Sequence, residues 1–335
     1  MTVRVGINGF GRIGRNLLRA ALERDADLEF VAVNDLGSVD TMAHLLKYDS
    51  VLSTLSESVK VTKNGIKIGS NELLVLSERD PKALPWGDLG VDLVVESTGI
   101  FTSREKAAYH LEGGAPLVVV SAPSSGADAT FVYGVNHKDF DPKKHQVVSN
   151  ASCTTNCLVP MVKVLDDAFG VVNGLITTVH AYTGDQNLVD GPHGDMRRAR
   201  SAAINIVPTS TGAARATSLV MEAMKGKLDG TALRVPVPTG SITDFTANLR
   251  RKASVDEINE AFAAAAKKEL KGVLRYSDEP LVSSDIVTDP HSCIFDSGLT
   301  MSMGKLVKVN GWYDNEWGYS NRMVDFALYA GSKKR

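Results

Sequence analysis

The run Val3-Arg4-Val5-Gly6-Ile7-Asn8-Gly9-Phe10-Gly11-Arg12-Ile13-Gly14 passes directly from a short β-branched strand into a glycine turn. The helical pattern Arg15 to Glu23 follows, and a second strand, Leu28 to Val33, ends in Asn34-Asp35. Gly9, Gly11 and Gly14 thus form G-x-G-x-x-G between a strand and a helix. An acid lies about twenty residues further on, which completes the context of a dinucleotide fingerprint. Each part has a physical task. The glycines permit a tight turn and close backbone approach, the helix N-terminus suits a pyrophosphate, and Asp35 accepts hydrogen bonds from ribose hydroxyls. A carboxylate there repels a 2′-phosphate, and the next residue is Leu36 rather than Arg, so NAD is expected over NADP.

Outward from this run the alternation continues. Val59 to Val61, Ile66 to Ile68 and Leu73 to Leu76 read as short strands, with Asn64-Gly65 as a hairpin turn. Val91 to Glu96 reads as a buried strand ending in Ser97-Thr98-Gly99, Arg104 to Glu112 as a helix, and Leu117 to Ser121 as another strand. Strand ends at Ser97-Thr98-Gly99 and Ser121 belong on the rim where a doubly wound sheet binds its ligand. Arg79 is either a cofactor contact or a solvated loop charge. Residues 1–150 are therefore expected to form an α/β, Rossmann-type, doubly wound domain.

Beyond that point the pattern changes. Val172 to Val179, Thr231 to Val237, Ile242 to Leu249, Cys293 to Phe295 and Leu306 to Tyr313 are longer runs, several with period-two alternation. They predict a second, α+β domain over 151–315 with a largely antiparallel sheet. Helices are expected near Ala213 to Met224 and Val255 to Leu270, the latter opened by the capping box Ser254-x-x-Glu257. Trp317 to Ala330 reads as a helix, and 316–335 is expected to pack back on the first domain. Asn315 and Tyr319 are candidate cofactor contacts there. Gly184 to Ser201 lacks periodicity and is long for a loop, which suggests a functional or interface role.

Composition limits the functions available. The 335 residues are 43% hydrophobic and 23% charged, as in an ordinary globular protein with ample core. A net charge of −2 argues against a nucleic-acid or membrane-surface partner. No apolar stretch approaches the length of a membrane span, and the N-terminus runs into a strand with no signal h-region. Three cysteines point to a reducing compartment and thiol chemistry, so a cytoplasmic location is expected.

The chemistry centres on Ser149-Asn150-Ala151-Ser152-Cys153-Thr154-Thr155-Asn156-Cys157. Gln146 to Val148 reads as a strand and Leu158 to Leu165 as a helix, which puts Cys153 at a helix start. Unpaired N–H groups and the helix dipole there favour a thiolate. Cys157, one turn deeper, is expected to face the interior. The C-x-x-x-C spacing implies neither a redox motif nor a zinc site, and no metal is expected. A thiol nucleophile needs an imidazole partner. His180, at the end of the strand after the cysteine helix, is the candidate. His44, His110, His137, His145, His193 and His291 lie in helices or polar loops without comparable context. Arg198, Arg200 and Arg234 are candidate anion ligands, joined by Ser152, Thr154, Thr183, Thr211 and Gly212. Thr209-Ser210-Thr211-Gly212 opens a helix suited to phosphate, so a phosphorylated substrate is expected.

Val5 to Arg15, Ser149 to Asn156 and Trp312-Tyr313-Asp314-Asn315-Glu316-Trp317-Gly318-Tyr319 together resemble the glyceraldehyde-3-phosphate dehydrogenase family, of the phosphorylating, NAD-dependent, bacterial type. The resemblance runs the length of the chain. It implies oxidation of D-glyceraldehyde 3-phosphate to 1,3-bisphosphoglycerate with NAD and inorganic phosphate, through a Cys153 thiohemiacetal and acyl thioester. It implies His180 as the partner of Cys153, and Arg12, Ile13, Asp35, Arg79, Ser121 and Asn315 around NAD. Thr183 and Arg234 would hold the substrate's C3 phosphate. Ser152, Thr154, Arg198, Thr211 and Gly212 would receive inorganic phosphate. The resemblance further implies a homotetramer in which the Gly184 to Ser201 loop reaches a neighbour's cofactor site. Leu36 and Pro192 match its NAD-using rather than its NADP-using branch. Two rivals remain: a dehydrogenase of erythrose 4-phosphate that uses water as acyl acceptor, and an NAD-binding interaction protein without catalysis.

Overall fold

The computed structural model describes residues 2–333, which form two compact units. The first comprises residues 2–131, 137–151 and 320–333; the second comprises residues 132–136 and 152–319.

In the first unit, parallel strands run in the order Ala129–Thr130, Val147–Ser149, Val118–Val120, Leu93–Glu96, Val3–Asn8, Leu28–Asn34, Asn71–Leu76. Gly65–Ile68 and Val59–Val61 extend this sheet antiparallel. Val94, Val95, Val118 and Val120 are wholly buried, as a parallel sheet covered on both faces requires. The chain passes from Val3–Asn8 to Leu28–Asn34 on one side and later adds Leu93–Glu96 on the other. The carboxyl ends at Asn8, Asn34 and Glu96 therefore border the crevice of a topological switch point.

One local expectation changes, and one helix is added. The helix expected from Arg104 to Glu112 is two short helices, Arg104–Ala107 and Tyr109–Glu112, because Ala108 has a flattened ψ of −15° that tightens the turn. Sequence pattern also missed the helix Val39–Lys47, which is too short for a clear period. Ser38 caps it by accepting the Thr41 N–H at 3.2 Å, and Met42, Ala43 and Leu46 are its buried face. From Ser320 onward the last helix, Trp317–Lys333, belongs to this unit. Phe326 stacks on Phe131 with centroids 5.3 Å apart, and Arg24 donates to Asp325 at 2.5 Å.

In the second unit the sheet order is Val207–Ser210, Leu228–Val235, Val171–Ala181, Ser241–Leu249, Leu306–Tyr313, Cys293–Asp296, Leu274–Ser277, with Met301–Met303 paired to Leu306–Tyr313. Most pairings are antiparallel. Val171–Ala181 with Leu228–Val235, and Leu274–Ser277 with Cys293–Asp296, are parallel. The helix Cys153–Phe169 buries Leu158, Met161 and Leu165 in one core with Phe245 and Val309, each such side chain contributing roughly 1.5–3 kcal/mol. Phe262, from the helix Val255–Lys267, stacks on Phe295 at 3.8 Å, and the Ser254–Glu257 capping box is formed. Among the described residues no helix is long and apolar enough to cross a membrane.

Candidate active site

The backbone turns sharply before the cysteine helix. Ala151 is held at φ +57°, in the left-handed region, and its N–H donates to Ser149 Oγ at 3.0 Å. Ser152 then caps the helix, its Oγ accepting the Thr155 N–H at 3.0 Å. Cys153 is the first helical residue and keeps part of its surface open, whereas Cys157 and Cys293 are fully buried. Cys153 Sγ lies 3.4 Å from His180 Nε2. The Ala181 carbonyl is 2.7 Å from His180 Nδ1 and accepts its N–H in the tautomer whose Nε2 lone pair faces the thiol. Parallel pairing sets His180 directly opposite Arg234. Arg234 Nη1 comes to 2.8 Å from His180 Nδ1 and donates to the same Ala181 carbonyl at 3.1 Å.

From its position alone the thiol is expected to ionise readily. The backbone N–H groups and the Arg234 cation do pull in that direction, but burial is larger and pushes Cys153 up to about 11. Burial first, then the charges of Arg234 and Arg198, bring His180 down to about 3 against the Ala181 hydrogen bond. Singly, therefore, both groups are neutral near pH 7. One proton moved from Sγ to Nε2 leaves the site's net charge unchanged and sets opposite charges side by side. That transfer makes the pair a candidate acid–base unit.

Two arginines differ in how they are held. Burial lowers the pKa of Arg234, and its Nε has no hydrogen-bond partner. Arg198 is already paired with Asp185, lies 3.7 Å from Asp195, and donates through Nε to Thr209 Oγ1 at 2.9 Å. Thr154 Oγ1 lies 2.8 Å from Tyr313 Oη, and both its hydroxyl and its backbone N–H favour the Cys153 thiolate. Thr211 Oγ1 accepts the Ala213 N–H at 3.2 Å, and Gly212 is the uncapped start of the helix Ala213–Val220. Thr183 lies half-buried just beyond the His180 strand, its N–H reaching Gln186 Oε1 at 3.3 Å. Arg200 pairs with Asp190 on the surface at 2.8 Å.

The first unit carries a cleft of about 370 Å³ lined by Gly9, Gly11, Asp35, Leu36, Arg79 and Thr98, among others. Gly9 has φ +94°, and a Cβ on it would stand 2.6 Å from Thr98 N, so no other residue fits that turn. A Cβ on Gly14 would stand 2.3 Å from Gly9 O, whereas Gly11 faces open space. No side chain caps the helix start at Gly11, as suits a helix whose first N–H groups take an anion. Arg12 and Ile13 form that first turn, with Arg12 paired to Asp49. The Asp35 carboxylate accepts the Phe10 N–H at 2.8 Å and the Gly37 N–H at 3.0 Å, which fixes it at the rim. Ser121 continues the sheet end by donating its N–H to Glu96 O at 2.9 Å. The open phosphate turn, the fixed rim carboxylate and the exposed Leu36 fit NAD. In the second unit Asn315 Oδ1 accepts from Ser241 Oγ at 3.0 Å, and Tyr319 is buried in the last helix.

Sequence reasoning missed three participants. Tyr313 Oη bridges Thr154 Oγ1 and Thr178 Oγ1, each at 2.8 Å, and its ring meets His180 edge-on at 5.9 Å. The Ala181 carbonyl lies between His180 Nδ1 and Arg234 Nη1, within hydrogen-bond distance of both. His110, set aside with the other histidines, is fully buried against Glu96. A buried Tyr hydroxyl needs a partner, but nothing in the sequence names threonines so distant along the chain.

Residues 3–104 match the domain family described as glyceraldehyde 3-phosphate dehydrogenase, NAD binding domain, and residues 152–315 match its C-terminal domain. The chain is 62% identical over 332 residues to glyceraldehyde-3-phosphate dehydrogenase 2 of Streptomyces arenae, covering 99% of both chains. It is 59% identical over 335 residues to glyceraldehyde-3-phosphate dehydrogenase of Streptomyces coelicolor, covering 99% of this chain and 100% of that one. It is 61% identical over 337 residues to the Mycobacterium avium enzyme of the same name, covering 99% of both. With both domain families matched and such identity over its length, the chain belongs to the glyceraldehyde-3-phosphate dehydrogenase family.

Proposed function

We propose that the chain is the glycolytic enzyme that oxidises D-glyceraldehyde 3-phosphate to 1,3-bisphosphoglycerate with NAD and inorganic phosphate. The observation that carries this is the thiol–imidazole pair at a helix start with a guanidinium beside it. Cys153 Sγ attacks the aldehyde carbon while His180 Nε2 takes the thiol proton and passes it to the carbonyl oxygen. Backbone N–H groups at the helix start stabilise the oxyanion. NAD, when bound, supplies the oxidising power by accepting a hydride. As the C–H bond breaks, His180 Nε2 takes the hydroxyl proton and a thioester remains on Cys153. Phosphate then attacks the thioester carbon, the C–S bond breaks, and the sulfur leaves as a thiolate.

Within this proposal Thr183 and Arg234 hold the substrate's phosphate. Ser152, Thr154, Arg198, Thr211 and Gly212 receive the attacking one. Residues 1–150 bind the dinucleotide through Gly9, Gly11, Gly14, Arg12, Ile13, Asp35, Arg79 and Ser121. Asn315 and Tyr319 contribute from beyond, residues 151–315 carry the chemistry, and 316–335 serve the first domain. The enzyme works as a cytoplasmic homotetramer. Exposed apolar side chains on strands of one sheet, Val172, Leu175, Met301, Met303 and Leu306, support burial against further copies, which light scattering on a sizing column tests.

The activity is tested by NADH absorbance. Glyceraldehyde 3-phosphate should be oxidised in a phosphate-dependent reaction and Cys153→Ser should abolish it, because an alkoxide is far harder to form than a thiolate. Faster turnover of erythrose 4-phosphate, or indifference to phosphate, would overturn the substrate assignment. Near wild-type turnover in Cys153→Ser would overturn the nucleophile.

A further inference from the structure

Beneath the dinucleotide cleft lies a buried polar cluster that takes no part in the chemistry above. Glu96, 1% exposed, ends the strand Leu93–Glu96. Its Oε1 accepts the Thr98 N–H at 2.8 Å and the Thr98 hydroxyl at 2.5 Å. Its Oε2 faces Asn8 Nδ2 at 2.6 Å and His110 Nε2 at 2.9 Å. Trp86 can only donate, and its Nε1 lies 3.0 Å from His110 Nδ1. His110 Nδ1 is therefore the acceptor and Nε2 carries the proton, so His110 donates to Glu96. Four donors converge on one carboxylate.

Asn8 and Thr98 belong to segments that border the cleft. Asn8 precedes the Gly9 turn, and its Oδ1 accepts from Asn34 Nδ2 at 2.8 Å. Asn34 precedes Asp35, and its Oδ1 accepts the Glu78 N–H, next to Arg79, at 2.7 Å. The Thr98 hydroxyl in turn accepts the Ile100 N–H at 3.0 Å. Asn8, Asn34, Glu78, Arg79, Thr98 and Ile100 all line the cleft.

We propose that Glu96, fixed from below by His110 and Trp86, is the positioning residue of the dinucleotide cleft: its carboxylate sets the Gly9 turn and the Thr98 rim at the spacing the cofactor needs. It touches no substrate and acts through Asn8 and Thr98. A glutamine cannot replace it. Whichever oxygen became the NH2 group would face two donors, at Thr98 or at the Asn8–His110 pair, and would push that side of the cleft away.

The inference rests on the reading of this cleft as the NAD site, and calorimetric titration separates the two. Failure of the wild-type protein to bind NAD would overturn that reading. Given wild-type binding, Glu96→Gln should weaken NAD affinity by about tenfold or more. It should raise KM for NAD more than it lowers kcat at saturating NAD, and it should shift Trp86 emission. Affinity within about twofold of wild type, even with an emission shift, would overturn the positioning role, as would equal slowing of Cys153 alkylation measured without NAD. If Glu96→Gln does not fold, Thr98→Val decides. It removes the hydroxyl that donates to Glu96 and accepts from Ile100 while keeping the side-chain shape, and it should weaken NAD binding severalfold; unchanged affinity there would refute the proposal.

Discussion

Arg234 and Arg198 are assigned different phosphates, and their surroundings make the assignment measurable. Arg234 sits half-buried beside His180 with an unpartnered Nε, so an incoming phosphate gains a cation with spare donor capacity. In Arg234→Leu the substrate loses a charge-assisted contact worth about 1.5–3 kcal/mol, or roughly ten- to a hundredfold in kcat/KM for the aldehyde. The cation that pulls Cys153 toward the thiolate against its burial goes too, so acylation itself slows. Arg198 differs because Asp185 and Asp195 already flank it. Arg198→Leu removes one positive charge and leaves two carboxylates facing the site, which repels inorganic phosphate and raises its apparent KM. Acylation precedes phosphate attack, so the first-turnover NADH burst should survive in Arg198→Leu while steady-state turnover falls. Stopped-flow absorbance reads both variants. A burst lost in Arg198→Leu and kept in Arg234→Leu would reverse the assignment.

Asp35→Gly should narrow the preference for NAD over NADP, since the carboxylate pinned by the Phe10 and Gly37 N–H groups is what repels a 2′-phosphate. An unchanged ratio of kcat/KM values would move that role elsewhere, with Pro192 the next candidate. The buried His180 also predicts an acid limb in stability. Its pKa falls from an ordinary 6.5 to about 3 on folding, so below pH 6.5 the unfolded chain takes a proton that the folded chain refuses. Stability is complete above that pH and is lost as pH drops toward 3, by up to about 1.4 kcal/mol per pH unit. His180→Gln should flatten this limb in urea midpoints measured across that range, and parallel profiles for the two proteins would refute the burial argument.

What was legible in the sequence was contiguous. The Gly9, Gly11 and Gly14 turn and the helix start at Cys153 lie within single strand–turn–helix segments, where spacing along the chain fixes geometry. The Ala151 conformation escaped because alanine gives no sign of positive φ. What escaped more broadly was carried by sheet pairing between distant segments. No periodicity announces that Val171–Ala181 and Leu228–Val235 run parallel, yet that register alone sets Arg234 against His180. Tyr313 reaches the site the same way, through antiparallel pairing of its strand with Ser241–Leu249.

Desolvation was the second hidden quantity, and it changes the chemistry expected of the thiol. Residue type and helix position give the sign of the electrostatic help that Cys153 receives, but not the burial that outweighs it. A thiol at 11 and an imidazole at 3 would be idle as separate groups. At 3.4 Å they are close enough for one proton to pass between them. The same burial that disfavours each lone charge strengthens the attraction between two opposite ones. The nucleophile is therefore set less by the helix start that makes the cysteine conspicuous than by the sheet register that brings His180 and Arg234 to it.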